Sequence, residues 1–182
     1  KGNGSIFEKE TADAILEKVK GQKFRIIDIQ KSIKREAPPL LYDLTELQRD
    51  ANRKYAYSAK QTLSIMQRLY ENYKLLTYPR TDSRYLTADL VGTMGERLKG
   101  VAIGEYSKSV ADILKNRRGI SKAMVNDAKV SDHHAIIPTE EPANISLLSP
   151  EERRIYDLVV KRFLTAFYPP FEYESLKVTL TA

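Results

Sequence analysis

The chain has 182 residues, of which 42% are hydrophobic and 30% charged, and 30 Lys and Arg against 24 Asp and Glu leave a net charge of +6. This is enough apolar material for a core, and enough positive charge to admit a polyanion partner without requiring one. The absence of cysteine excludes a disulfide scaffold, a cysteine zinc site and a thiol nucleophile; the two histidines, adjacent at 133 and 134, exclude most histidine-rich metal sites; and no run of about 18 apolar residues could span a membrane.

In chain order, Ser5-Ile-Phe-Glu8 has capping-box spacing, and Ala12, Ile15, Leu16 and Val19 behind it predict an amphipathic helix ending near Gly21. Residues 23–34 read as an isoleucine-rich strand, made basic at its far end by Lys31, Lys34 and Arg35. Ala37-Pro38-Pro39 breaks that pattern, because two prolines fix φ and lack N–H donors. Asp43 to Lys54 predicts a helix with Leu44, Leu47 and Ala51 inward. Ser58-Ala-Lys-Gln61 opens another, to about Tyr73, with Thr62, Ile65, Met66, Leu69 and Tyr73 as its buried stripe. Leu75 to Arg84 is extended. Thr87–Lys99 and Tyr106–Lys115 are helical, Asn116-Arg-Arg-Gly119 is a basic turn, and Ser131–Thr139 is extended. A loop then precedes Ser149-Pro150-Glu151-Glu152, a helix start with N-cap, proline and N3 glutamate in place. That helix runs to Pro169-Pro170. Phe171, Tyr173, Leu176, Val178 and Leu180 then alternate as a strand that is still running at Ala182. The chain begins at Lys1 and stops inside this pattern, so it reads as a piece of a longer protein.

The expected fold class is α+β and mainly helical: a helical domain at 38–170 inserted into a β-containing domain made by residues 1–37 and the return strand 171–182.

The stretch richest in chemistry is Tyr78-Pro79-Arg80-Thr81-Asp82-Ser83-Arg84. Pro79 drives Tyr78 into an extended conformation. Alternate side chains of an extended chain share a face, so Tyr78, Arg80 and Asp82 point the same way. A phenol is a poor nucleophile at its ordinary pKa of about 10 and must lose its proton as it attacks. A guanidinium favours the phenolate, grips phosphoryl oxygens and stabilises the charge that develops on them. The trio therefore suits attack on a phosphodiester. The same triplet also fits a core tyrosine beside a surface arginine.

The segment Tyr78 to Leu86, preceded by Ser58-Ala-Lys-Gln-Thr-Leu63 and by Leu69-Tyr-Glu with Lys74-Leu75, resembles the active-site segment of type IA DNA topoisomerases. Pro79, the later His133-His-Ala-Ile-Ile-Pro-Thr139 and Pro38-Pro-Leu-Leu-Tyr-Asp-Leu-Thr-Glu-Leu-Gln48 are similar to the bacterial topoisomerase III branch of that family. The resemblance runs in order from Pro38 to Thr139. It implies that Tyr78 is the nucleophile, forming a transient 5′-phosphotyrosine with one DNA strand, and that Arg80 stabilises the scissile phosphate. It also implies that His133 contacts a DNA phosphate and that Asp82 lies near the site. The family's magnesium is held by a separate TOPRIM module carrying an Asp-x-Asp-x-Glu cluster. No Asp-x-Asp occurs here, and Glu172-Tyr-Glu174 reads as a solvated strand face. The resemblance therefore implies no cofactor within this chain, Mg²⁺ in the full-length enzyme, partners in single-stranded DNA and the remaining domains of the same enzyme, and a cytoplasmic, nucleoid-associated setting.

Adjacent histidines on an extended chain face opposite sides and do not chelate, so no metal is expected at His133 and His134. Arg49 and Arg68 are candidate DNA contacts, with Lys31, Lys34, Arg35, Arg53, Lys54, Arg117 and Arg118 behind them. Tyr42, Tyr55, Tyr57 and Tyr85 are candidate stacking faces for unpaired bases. The alternative function is a noncatalytic single-stranded nucleic-acid-binding module. A tyrosine recombinase needs its basic residues ahead of a C-terminal tyrosine, and here Tyr78 precedes His133.

Overall fold

The computed structural model describes residues 5–181, so Ala182, which the sequence pattern places in the return strand, lies outside the described residues, as do residues 1–4. Two compact units divide the chain: residues 37–170 form one, and the segments before and after them form the other. The class is α+β.

In the second unit, α1 (Lys9–Val19) is followed by β1 (Arg25–Glu36), which pairs antiparallel with β2 (Phe171–Thr181). The predicted Ser5 capping box is corrected: α1 starts three residues later than that box requires, with Glu8 at the N-cap and no side-chain cap bond. Glu8 instead accepts from the Thr11 hydroxyl at 3.2 Å, one turn into the helix. The apolar stripe of α1 is uncovered, since no α1 residue is buried.

The ladder runs from Arg25↔Thr181 to Glu36↔Phe171, with one register shift between Ile26 and Asp28. That bulge has a consequence for the apolar pattern. Ile26 and Ile29 are three apart and would face opposite sides of a regular strand. The extra residue brings Ile26, opposite Leu180, onto the face of Ile29, opposite Val178. Lys31 bonds to Glu174 at 3.3 Å and Arg35 to Glu172 at 2.6 Å, which occupies both carboxylates of the Glu-Tyr-Glu motif.

Among the described residues, the buried apolar side chains all belong to the unit 37–170. Here α2 (Leu44–Tyr55), α3 (Ala59–Glu71) and α6 (Pro150–Thr165) pack on one another. The Asp43 and Ser58 side chains cap α2 and α3 by accepting from Glu46 and Gln61 N–H groups. Ser149 and Glu152 form a complete capping box on α6. Leu47, Ala51, Ile65, Met66, Leu69, Val159 and Phe163 are each no more than 1% exposed.

A buried polar knot fastens α2 to α6. The Tyr42 hydroxyl donates to Asp50 at 2.5 Å, and Arg162 donates to Asp50 (2.8 Å), Tyr42 (3.1 Å) and the Leu40 carbonyl (2.9 Å). Arg162 also lies 4.0 Å from the centre of the Tyr42 ring. Burial, and then the bond to Asp50, push the Tyr42 phenol well above its ordinary pKa.

The region predicted as one helix over Thr87–Lys99 begins as a 3₁₀ helix at Ala88–Thr93 and becomes α4 only at Met94–Gly100. Gly92 and Thr93, two weak helix formers, sit at that joint. α5 spans Ser107–Lys115.

Candidate active site

Leu75 to Leu86 runs extended against residues 133–139, held by discrete links rather than a regular strand. Leu76 bridges Pro138, the Thr77 N–H donates to the Ile137 carbonyl at 3.0 Å, and the Ala135 N–H donates to the Tyr85 carbonyl at 2.9 Å. Alternation decides which side chains enter the core. Pro79, Thr81 and Ser83 are buried, while Arg80 and Asp82 are exposed and Tyr78 is half-buried.

The buried hydroxyls are polar groups on the inward face, so they must find partners there. The Thr81 hydroxyl donates to the His133 carbonyl at 2.9 Å and accepts from the Ser83 N–H at 3.1 Å. The Ser83 hydroxyl donates to the Lys129 carbonyl at 2.8 Å and accepts from the Tyr85 N–H. Thr81 therefore holds the backbone of His133 beside the tyrosine segment. The motif residues Thr81 and Ser83 carry no chemistry of their own, but they hold together the two extended pieces that do.

The His133 ring lies 4.3 Å, centre to centre, from the Tyr78 ring, tilted by 42°. On another side, Tyr70 meets Tyr78 edge-on at 5.5 Å and 81°. His133 lines two hollows. One, of about 590 Å³, contains Tyr70, Lys74, Thr77 and Tyr78. The other, of about 470 Å³, contains Arg80, Asp82, Ser131 and Asp132 over an apolar floor that includes Leu44 and Leu63. The Tyr78 ring thus touches the His133 ring, while Arg80 and Asp82 share a second hollow with the same histidine. A phenol, a guanidinium and an imidazole on two facing extended pieces are the groups that binding and attacking a phosphoryl group require.

His134 turns the other way and is half-buried. Its Nδ1–H donates to the Ala135 carbonyl at 2.8 Å, and burial pulls its pKa below the ordinary histidine value.

The outlying candidates stand elsewhere. Arg49 is bonded to Glu46. Arg68 donates to buried Glu152 at 2.7 Å and lines a separate hollow with Ser58, Lys60 and Ser64. Burial alone would raise the Glu152 pKa, but bonds from Arg68 and from the Ser149 N–H and hydroxyl outweigh it and hold the carboxyl below its usual range. Two expected stacking faces are corrected. Tyr42 and Tyr57 are 2% and 6% exposed: Tyr42, just before α2, bridges Ile136 and bonds to Asp50 and Arg162, and Tyr57, just after α2, packs on Tyr55 and accepts from Arg154, so neither offers a face to an unpaired base. Tyr55 and Tyr85 are half-buried, the second beneath Lys129 at 4.7 Å.

Among the described residues, no group of three or more His, Cys, Asp or Glu side chains could hold a metal ion, and no helix is long and apolar enough to cross a membrane.

A family model described as DNA topoisomerase matches residues 1–182. A DNA topoisomerase 3 of Bacillus cereus is 54% identical over 175 residues, covering 96% of this chain and 24% of that protein. A DNA topoisomerase 3 of Bacillus subtilis is 50% identical over 172 residues, covering 94% and 24%. Among solved structures, full-length topoisomerase I from Thermotoga maritima superposes with a TM-score of 0.63 at 24% identity, over 97% of this chain and 28% of that one, a likeness of fold alone. The chain spans about a quarter of the length of the relatives it matches.

Proposed function

This chain belongs to the DNA topoisomerase family, and from that premise we propose that it is the nucleophile-bearing part of a type IA enzyme of the topoisomerase 3 kind. In this reading the unit 37–170 is the tyrosine-bearing domain, and the β1–β2 ribbon is part of a β arch. Tyr78 attacks a phosphodiester of one DNA strand. A bond forms between its oxygen and phosphorus, the bond from phosphorus to the 3′ oxygen breaks, and the strand is held as a 5′-phosphotyrosine. The phenol gives up its proton and the leaving 3′ oxygen gains one. Attack by that 3′ hydroxyl reseals the strand after another strand has passed.

Arg80 is always protonated, so it acts through charge on the phosphoryl oxygens rather than by moving protons. His133, between the two hollows, donates to a backbone phosphate, and Asp82 borders the same strand. Arg49 and Arg68 are outlying backbone contacts. The observation that supports this reading most is the contact of the Tyr78 and His133 rings, with Arg80 two residues on from Tyr78 and lining a hollow that His133 also lines.

Among the described residues no cluster of His, Cys, Asp or Glu fits a magnesium site, and no step above is routed through one. Magnesium and the acid–base partner come, in this reading, from a TOPRIM module in the remaining domains. The 182-residue chain then binds single-stranded DNA weakly and does not cleave it.

The test traps the covalent complex of the longer enzyme on labelled single-stranded DNA and digests it to a peptide. The label is expected on Tyr78. Tyr78→Phe abolishes the adduct and spares binding, and Arg80→Ala slows cleavage by roughly 10²- to 10³-fold. An adduct on another tyrosine, or strand cleavage by the 182-residue chain alone, overturns the reading.

A further inference from the structure

The hollow on the Tyr78 side of His133 holds a cation that lies outside the tyrosine motif. Lys74 lines it together with Tyr70, Tyr78 and Thr139. Its backbone is unusual. At the end of α3 the Leu75 N–H reaches back to the Leu69 carbonyl at 2.9 Å, a reversal that closes the helix and leaves Lys74 at φ +57°. Glycine takes that conformation freely, whereas a residue with a Cβ is strained in it.

The strained residue is also clamped. The Thr139 hydroxyl donates to the Lys74 carbonyl at 2.5 Å, and the Thr139 N–H donates to the Leu75 carbonyl at 3.0 Å. Thr139 ends the same extended piece that carries His133. The base of the lysine side chain is therefore tied to the frame that positions the site.

The ammonium lies 5.7 Å from the centre of the Tyr70 ring, and the same ring meets Tyr78 edge-on. Like most lysines here, Lys74 joins none of the ion pairs found among the described residues; what sets it apart is that it lines the hollow of Tyr78 and packs its ammonium on the Tyr70 ring. An exposed cation without a carboxylate, on a clamped and strained backbone, at the mouth of the hollow holding a phenol hydroxyl, fits an anion arriving from outside.

We infer that Lys74 contacts a backbone phosphate of single-stranded nucleic acid, next to the phosphate that Tyr78 attacks, with the Tyr70 ring aiming its ammonium. This rests on the proposed role of Tyr78 and extends it by one residue and one nucleotide. Arg80 serves the phosphate under attack, and Lys74 its neighbour.

The experiment uses the 182-residue chain and a labelled oligothymidylate, with affinity measured across a salt series. Each phosphate contact on a single strand adds about 0.7 to the slope of log affinity against log salt. Lys74→Gly and Lys74→Gln are expected to bind more weakly and to lose about 0.7 of slope, so that their disadvantage shrinks roughly two- to threefold as salt rises fourfold. Lys74→Arg keeps the slope. Lys74→Gly is the decisive variant, because glycine relieves the φ of +57°. Its melting temperature should not fall, so weakened binding cannot be charged to unfolding. Unchanged slopes in both the Gly and Gln variants, with the unaltered chain binding normally, would overturn this inference alone. Failure of the unaltered chain to bind in a salt-dependent way would overturn it together with the single-strand reading on which it rests.

Discussion

The unit 37–170 and the β1–β2 ribbon carry apolar residues at equally regular intervals, yet only the first covers them. In α6, Ile155, Val159 and Phe163 recur at helical spacing and are each 0% exposed. In the ribbon, Ile26, Ile29, Val178 and Leu180 share one face through the bulge and remain between 41% and 55% exposed. A two-stranded ribbon has no second layer to bury a face against, and is marginal alone. A helix lying among other helices has such a layer. Periodicity thus tells which side chains stand together, and it is silent on whether anything stands over them.

Truncation in the two regions should separate them most widely. Phe163→Ala is expected to cost about 3–5 kcal/mol, since a fully buried ring leaves a cavity. Ile33→Ala, at a site 73% exposed, should stay within about 0.5 kcal/mol. Urea unfolding of both variants measures the gap, and comparable losses would show that the ribbon is buried in solution.

Ion pairs give a smaller contrast. Arg162→Met removes the shared donor of Asp50, Tyr42 and Leu40, where the Arg162 and Asp50 side chains are only 14% and 12% exposed. Arg53 still reaches Asp50, so the expected loss is about 2–3 kcal/mol rather than the full cost of a stranded buried charge. Arg35→Ala opens a pair whose members are 71% and 52% exposed and should leave the melting temperature unchanged. A double-mutant cycle on Arg162 and Asp50 reads the coupling directly.

The smallest effects are in the pH profile and belong to the first unit. Burial holds the His134 pKa below its unfolded value. As pH falls below about 6.5, the unfolded chain takes up a proton that the folded one refuses, and stability declines. Glu152 acts lower. Its folded pKa is depressed, so its contribution is complete above about pH 4.3 and is lost as pH falls further, through the folded value. Stability should therefore fall in two stages. His134→Asn is expected to remove the upper stage, and Glu152→Gln, costly near neutrality through the lost Arg68 bond, should converge on the unaltered protein in acid. Thermal melts across pH check both, and an upper stage that persists in His134→Asn assigns it to another group.

Much of the candidate site is legible in the residue order. Pro79 dictates extension at Tyr78, and extension dictates that Arg80 and Asp82 share its side. The proximity of His133 is a different matter. Fifty-five positions separate it from Tyr78, and the contact depends on Thr81 bonding to its carbonyl, a pairing that no local pattern announces. Lys74 belongs to the run that carries the resemblance, but residue order assigns it no role, because what marks it out is a positive φ at a helix end and a ring 5.7 Å from its ammonium.

The sequence by itself determined the helix starts at Asp43, Ser58 and Ser149, the breaks at Pro38-Pro39 and Pro169-Pro170, and the face shared by Tyr78 and Arg80. These are local matters: a cap bonds within one turn, a proline restricts its own φ, and alternation needs only a neighbour. Tertiary structure alone sets Tyr42 and Tyr57 inside, the α1 stripe and the ribbon isoleucines outside, and the His133 ring against Tyr78. Each of those depends on which distant segment packs opposite, and burial is a property of the pair of surfaces rather than of either one.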